Sequence, residues 1–279
     1  MVSDMSASDQ ESKSLLLGQH TDYPSQYAPQ LLFPIARAES RSALGIGAGA
    51  LPFSGVDVWT GYEVSWLNPK GKPQVAVVEF TFPADSPCMV ESKSFKLYLN
   101  SLNQTRLAGT DELIATLQAD LSGAAGAAVA VRLLGVAEAA IALCPGSCLD
   151  EEDVTVEVYE PQPQLLVVAG QEPVTETLYS DLLKTNCPVT GQPDWATVSI
   201  TYTGPRIDRG ALLSYIISFR NHQDFHEHCV ERIFTDLLQR CQPQSLTVFA
   251  RYTRRGGLDI NPCRTTETVC PEMPRLLRQ

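Results

Sequence analysis

Two short runs of alternating apolar and polar residues, set on either side of a tight turn, constrain this chain more than any other feature. Residues 62–67 (YEVSWL) and 74–82 (QVAVVEFTF) flank NPKGKP, and a period of two around a Pro-Gly turn predicts an antiparallel hairpin with one buried face. The plan recurs in the second half. Residues 195–204 (WATVSITYTG) alternate in the same way, PRIDRG is read as a turn, and 211–222 (ALLSYIISFRNH) as the returning strand. In each half a polar cluster with a glutamate follows (VESKSF, FHEHCV), and then an amphipathic helix. A further helix starts at Thr110 with Leu113, Ile114, Leu117 and Leu121 on one face, and AAVAVRLL and 245–253 (SLTVFARYT) read as strands. Hairpins with helices packed on one face make an α+β domain. The repeat divides the chain into modules 1–155 and 156–279, with the boundary in the Pro-, Asp- and Glu-rich stretch 145–163.

A length of 279 residues leaves room for two ordinary cores. The net charge of −11 argues against a nucleic-acid backbone as the main partner. The polar, acidic residues 1–14 lack the layout of a signal peptide, so the cytoplasm is the expected compartment. Residues 122–143 have the length of a membrane span but carry Arg132 and Glu138, costly in lipid; a strand followed by a buried or interfacial segment is expected instead. Without export, the 8 cysteines are expected as reduced thiols rather than a disulfide framework. Cys144 and Cys148 (CPGSC) lack the second close pair of a zinc site and read as a turn.

Three motifs carry chemistry. Cys187 lies in LKTNCPVTGQPDW, after a stretch read as helical and before a turn that brings Asp194 back toward it. A polar neighbourhood that stabilises a thiolate, with a carboxyl close by, suits a nucleophile. ESKSFKLYLN (91–100) places Glu91, Ser92 and Lys93 at a strand end, with KLYLN as helical packing. FHEHC places Phe225, His226 and Glu227 at a second strand end. Zinc is not expected, because HExxH would need a histidine at Val230 and His222 with His226 lacks further ligands. LGIGAGALP (44–52) partly fits a dinucleotide fingerprint but has neither the strand nor the helix, and is expected as a loop. Lys93 and Arg255, beside Ser92 and Gly256, are better placed for phosphates.

Taken together, ESKSFKLYLN, NCPVTGQPDW, NHQDFHEHCVERIF and RYTRRGGLDINP resemble the signature of the QueF family, the NADPH-dependent nitrile reductases of queuosine biosynthesis, and the resemblance spans nearly the whole chain. It implies two tandem tunnelling-fold modules, typically in a homodimer, acting on a deazapurine before RNA is involved. It also implies that Cys187 attacks the nitrile carbon of 7-cyano-7-deazaguanine to give a thioimide while Asp194 donates the proton. A carboxylic acid meets that need provided burial raises its pKa. Val90, Glu91, Ser92, Phe225, His226 and Glu227 would bind the heterocycle, and Ser92, Lys93, Arg255 and Gly256 the NADPH. Two rival readings are a zinc hydrolase like GTP cyclohydrolase I and a non-catalytic purine- or pterin-binding protein.

Overall fold

The computed structural model describes residues 23–47, 49–135, 141–272 and 274–279. The acidic N-terminus 1–14 and Glu138 lie outside the described residues. The first half runs β1 (Pro34–Ala36), α1 (Ala38–Ala43), β2 (Ser54–Leu67), β3 (Pro73–Pro83), β4 (Cys88–Val90), α2 (Ser92–Ser101), α3 (Thr110–Ala125) and β5 (Ala130–Leu134). The second runs β6 (Ser147–Cys148), β7 (Val168–Asn186), β8 (Pro193–Ile207), α4 (Arg209–Ser218), α5 (His226–Cys241), β9 (Ser245–Tyr252) and β10 (Leu258–Thr265).

One eight-stranded sheet joins the halves in the order β5-β3-β2-β10-β9-β8-β7-β6. It is antiparallel except where β6 meets β7, and the seam is the β2–β10 pair, with Ile260 opposite Trp59. β1 and β4 form a separate ladder with Val90 opposite Pro34. Alternation puts Trp59 of β2 in the core under α2, whereas Val56, Val58 and Thr60 line an open trough of about 650 Å³ on the other face. The helices thus cover one side.

Two apolar cores lie beneath them. The first is aromatic, with Phe95 of α2 ringed by Phe80, Trp59, Tyr98 and Phe82 at centroid distances of 5.0 to 6.4 Å. Leu113, Leu117 and Leu121 close it from α3, as their spacing predicts. The second gathers Leu212, Leu213, Tyr215 and Ile216 of α4 with Val230, Ile233, Phe234 and Leu237 of α5.

Five sequence expectations need correction. Residues 211–222 are not a returning strand but mostly the helix α4, and the hairpin partner of β8 is β7, which precedes it. The stretch before Cys187 is the end of that strand, not a helix. The two glutamate clusters do not occupy equivalent places: Glu91 precedes the first helix after the β2–β3 hairpin, whereas Glu227 sits in the second helix after the β7–β8 hairpin, in the first turn of α5 rather than at a strand end. Of the buried or interfacial segment expected after β5, residues 136–140 lie outside the described residues, and Ile141 and Leu143 are exposed, the latter at 92 %, which goes against the buried alternative and not the interfacial one. Cys263 of β10 and Cys270 are disulfide-bonded with Cα atoms 6.4 Å apart, while six other cysteines are free. The LGIGAGALP segment is loop where described, and CPGSC turns at Gly146 with φ of 100°.

Candidate active site

The hairpin between β7 and β8 fixes the first pair of groups. Thr185 is opposite Asp194 and Asn186 opposite Pro193. The turn closes through Cys187 N–H to Gln192 O at 2.9 Å and Gly191 N–H to Cys187 O at 3.0 Å, with Gly191 at φ of 67°. Cys187 and Asp194 consequently line the same cavity. Asn186 N–H also donates to His222 O at 2.8 Å, and Asp224 N–H returns to Asn186 O at 3.2 Å, which ties this hairpin to the start of α5.

That helix brings the second group. His226 opens α5 and lies flat on Tyr252 of β9, with ring centroids 3.6 Å apart and planes 2° from parallel. Its Nε2 is 3.4 Å from Asp194 Oδ2, and its buried Nδ1 has no hydrogen-bond partner among the described residues. Each of the other two histidines here faces Asp224: His228 Nδ1 at 3.2 Å and His222 Nε2 at 3.5 Å from its carboxylate. Burial would raise the Asp224 pKa, but its hydrogen bonds to His222 and His228 bring it well below the ordinary carboxylate range. The histidines therefore point to two different carboxylates and not to one shared centre.

Asp194 departs from expectation. Its side chain is 3 % exposed, and burial alone would push its pKa up. The hydrogen bond and charge of His226, followed by those of Arg255, outweigh that, so the pKa lies below the ordinary value and the carboxyl is ionised at rest. Arg255 binds Asp194 Oδ1 through Nη1 and Gln192 Oε1 through Nη2, a two-armed clamp on the hairpin that holds Cys187.

Glu91 comes from the other half of the chain. It caps α2, accepting from Lys93 N–H at 2.8 Å and Ser94 N–H at 2.6 Å, and is 1 % exposed. Across the cavity Glu227, also buried, has its pKa raised first by burial and then by the neighbouring Asp57 charge, against the pull of Arg37. Asp57 belongs to a dry network linking the halves. Arg37 reaches Asp57 at 2.5 Å, Arg264 reaches Asp57 at 2.7 Å and Glu231 at 2.9 Å, and Arg41 reaches Glu231 at 2.7 Å. Glu231 lies one helical turn beyond Glu227 on α5.

One cavity is lined by Val90, Glu91, Ser92, Cys187, Asp194, Phe225, His226, Glu227 and Arg255. Lys93 and Gly256 are not among its lining residues. Lys93 contributes its backbone N–H to Glu91, and Gly256, at φ of 58°, lies beside Lys96, whose Cδ would be 3.4 Å from a Cβ at this position. Lys96 also lines the cavity, which corrects the reading of KLYLN as packing alone. Its position three residues after Lys93 in a helix was the available signal. Burial first, and then Arg255, depress its pKa, against Glu91, Asp194 and Cys187. Two cations crowded at one rim, with a glycine turn beside them, fit an anionic phosphate-bearing cofactor.

A family model described as "Nitrile reductase, 7-cyano-7-deazaguanine-reductase N-term" matches residues 23–133, and one described as "QueF-like protein" matches 193–269. A Bordetella pertussis protein named NADPH-dependent 7-cyano-7-deazaguanine reductase is 57 % identical over 267 residues, 94 % of this chain and 97 % of that protein. One of the same name from Chromohalobacter salexigens is 56 % identical over 278 residues, 99 % and 100 % of the two chains. A crystal structure of the archaeosine synthase QueF-Like in the apo form aligns with 36 % of this chain and 96 % of its own, at 16 % identity and a TM-score of 0.30.

Proposed function

This chain belongs to the QueF nitrile reductases, and we propose that it reduces the nitrile of 7-cyano-7-deazaguanine to the aminomethyl group with NADPH, through a thioimide on Cys187, in queuosine biosynthesis. The observation that carries the mechanism is the single cavity in which Glu91 of one half meets Cys187, Asp194, His226 and Glu227 of the other. Glu91 and Glu227 suit the N–H donors of a guanine-like edge, and Phe225 offers an apolar wall to the ring.

The Cys187 thiol gives its proton to the ionised Asp194 carboxylate as its sulfur bonds to the nitrile carbon. One C–N π bond opens as the nitrogen takes a proton. Asp194 passes that proton, and His226 Nε2 at 3.4 Å is the group with which it can exchange one while Arg255 keeps it ionised. Two NADPH molecules, bound in turn, would each supply one of the two hydrides that take a nitrile to an amine; Arg255, Lys96 and Ser92 at the cavity, with Lys93 next to Ser92 outside its lining, are the proposed holders of the phosphates. Between those additions the C–S bond breaks and Cys187 leaves as thiol, having kept the intermediate from water.

The repeat supports two modules, 1–155 and 156–279, of the tunnelling fold, and a homodimer would cover the sheet ends β5 and β6. The test of the reaction is intact mass of the protein mixed with the nitrile alone. A covalent adduct is expected, and its persistence in Cys187→Ala would eliminate the nucleophile.

A further inference from the structure

We infer that Arg255 is a shared cation: with no anion at the rim it clamps Asp194 and Gln192, and when a cofactor phosphate draws it away, Asp194 is released to carry the proton. The inference rests on the proposed thioimide mechanism and adds a coupling to it.

The placement of the arginine carries the argument. Asp194 is buried at the cavity wall, whereas the Arg255 side chain is 28 % exposed, so one guanidinium touches both the proton-carrying carboxyl and the solvent side. Its backbone sits in the β9–β10 turn, closed by Arg255 N–H to Leu258 O at 2.9 Å, and the following Gly256 and Gly257 have φ of 58° and 73°. Lys96 approaches from α2 beneath this turn. Two rim cations therefore share Asp194 as a counter-charge, and a phosphate would relieve their mutual repulsion.

The groups facing Asp194 are Cys187 and Lys184 from its own hairpin, His226 from α5, Tyr252 from β9, Lys96 from α2 and Arg255. Of these, Arg255 holds Oδ1 directly and also reaches solvent. Removing its positive charge destabilises the carboxylate, so Asp194 protonates at higher pH. The burial that Arg255 now opposes then works in favour of the neutral acid.

The rate of covalent adduct formation with the nitrile, followed by intact mass across pH with no cofactor present, reads this without turnover. In Arg255→Gln the acid-side inflection is expected at higher pH than in the native protein. Saturating NADP+, which brings phosphates but no hydride, should move the native profile in the same direction and leave that of Arg255→Gln in place. Arg254→Gln removes a charge from the same turn, but this guanidinium lies over Tyr62 at 5.0 Å, and its profile should match the native one. Superimposable profiles for Arg255→Gln and native protein would overturn the inference, as would an NADP+ effect of equal size in both. If the native protein forms no adduct at any pH, the thioimide reading falls and takes this inference with it. A normal adduct with an unshifted Arg255→Gln profile removes the inference alone.

Discussion

Glu91 and Glu227 face the same cavity from opposite halves, yet their surroundings differ in kind. Glu91 is held by two backbone N–H groups of its own helix, at the end where the peptide dipoles favour negative charge. A shorter residue, Ser or Asp, is the usual choice at such a cap. The longer glutamate makes the same bonds while lining the cavity, so one carboxylate anchors α2 and is fixed for a ligand. Glu227 is less well supported: burial and then Asp57 outweigh Arg37, His226 and its own backbone N–H, which favour its charge. It is buried beside the Asp57 charge, which opposes its ionisation. One half presents a carboxylate already stabilised, and the other presents one that a ligand with N–H donors must stabilise. The pocket thus has one rigid acceptor and one whose charge responds to what is bound.

The change with the largest expected effect strikes the network beneath Glu227. Asp57→Asn leaves Arg37 and Arg264 without the carboxylate that both hold, and breaking a buried pair in this way costs about 3–5 kcal/mol. Denaturant midpoints should show the loss. The same variant removes a negative charge next to Glu227, so the Glu227 pKa falls and affinity for the heterocycle should persist to lower pH than in the native protein. An unchanged pH dependence of binding, measured calorimetrically, would show that Glu227 is not governed from below.

Replacing each glutamate by glutamine separates the two roles. Both variants should lose substrate affinity, by about 1.5–3 kcal/mol for a charge-assisted hydrogen bond. Their unliganded stabilities should move in opposite directions. Glu91→Gln weakens the cap of α2, at a cost of about 1 kcal/mol. Glu227 has a folded pKa above its unfolded value, so the stability tied to its proton is complete below the unfolded value and lost as pH rises through the folded one. Glu227→Gln should therefore match the native protein in acid and gain on it as pH rises. Equal stability losses at neutral pH in both variants would erase the distinction.

What the sequence shows of this site depends on how local each signal is. The β2–β3 hairpin is legible because its alternation is strict and its turn short. The segment 211–222 misleads because α4 buries Leu212, Leu213, Tyr215 and Ile216 at once, and a helix apolar on most sides has no clear period. β7 misleads for the converse reason: its register slips between Ser180 and Leu183, which breaks the alternation just before Cys187. The pairing of Cys187 with Asp194 survives because seven residues and a turn suffice to make it. The Arg255 clamp does not, since it joins residues separated by 61 positions, and the sign of the Asp194 shift depends on that contact. Lys96 was visible as a helical neighbour of Lys93 but lies in an apolar run, where burial reads as packing.

The smallest predicted effect is the most discriminating control on Glu91. Asp208 holds the corresponding place in the second half, immediately before the first helix after the hairpin, and accepts from Ala211 N–H at 2.8 Å. It lies outside the lining of the cavity. Asp208→Ala should cost about 1 kcal/mol of stability, as an ordinary cap does, and leave both heterocycle affinity and adduct formation at native values. Glu91→Asp keeps a carboxylate short enough to cap but withdraws it from the ligand, so it should retain stability and lose affinity. If Asp208→Ala weakens binding as much as Glu91→Asp does, helix stability alone links the caps to the pocket, and Glu91 has no contact of its own with the substrate.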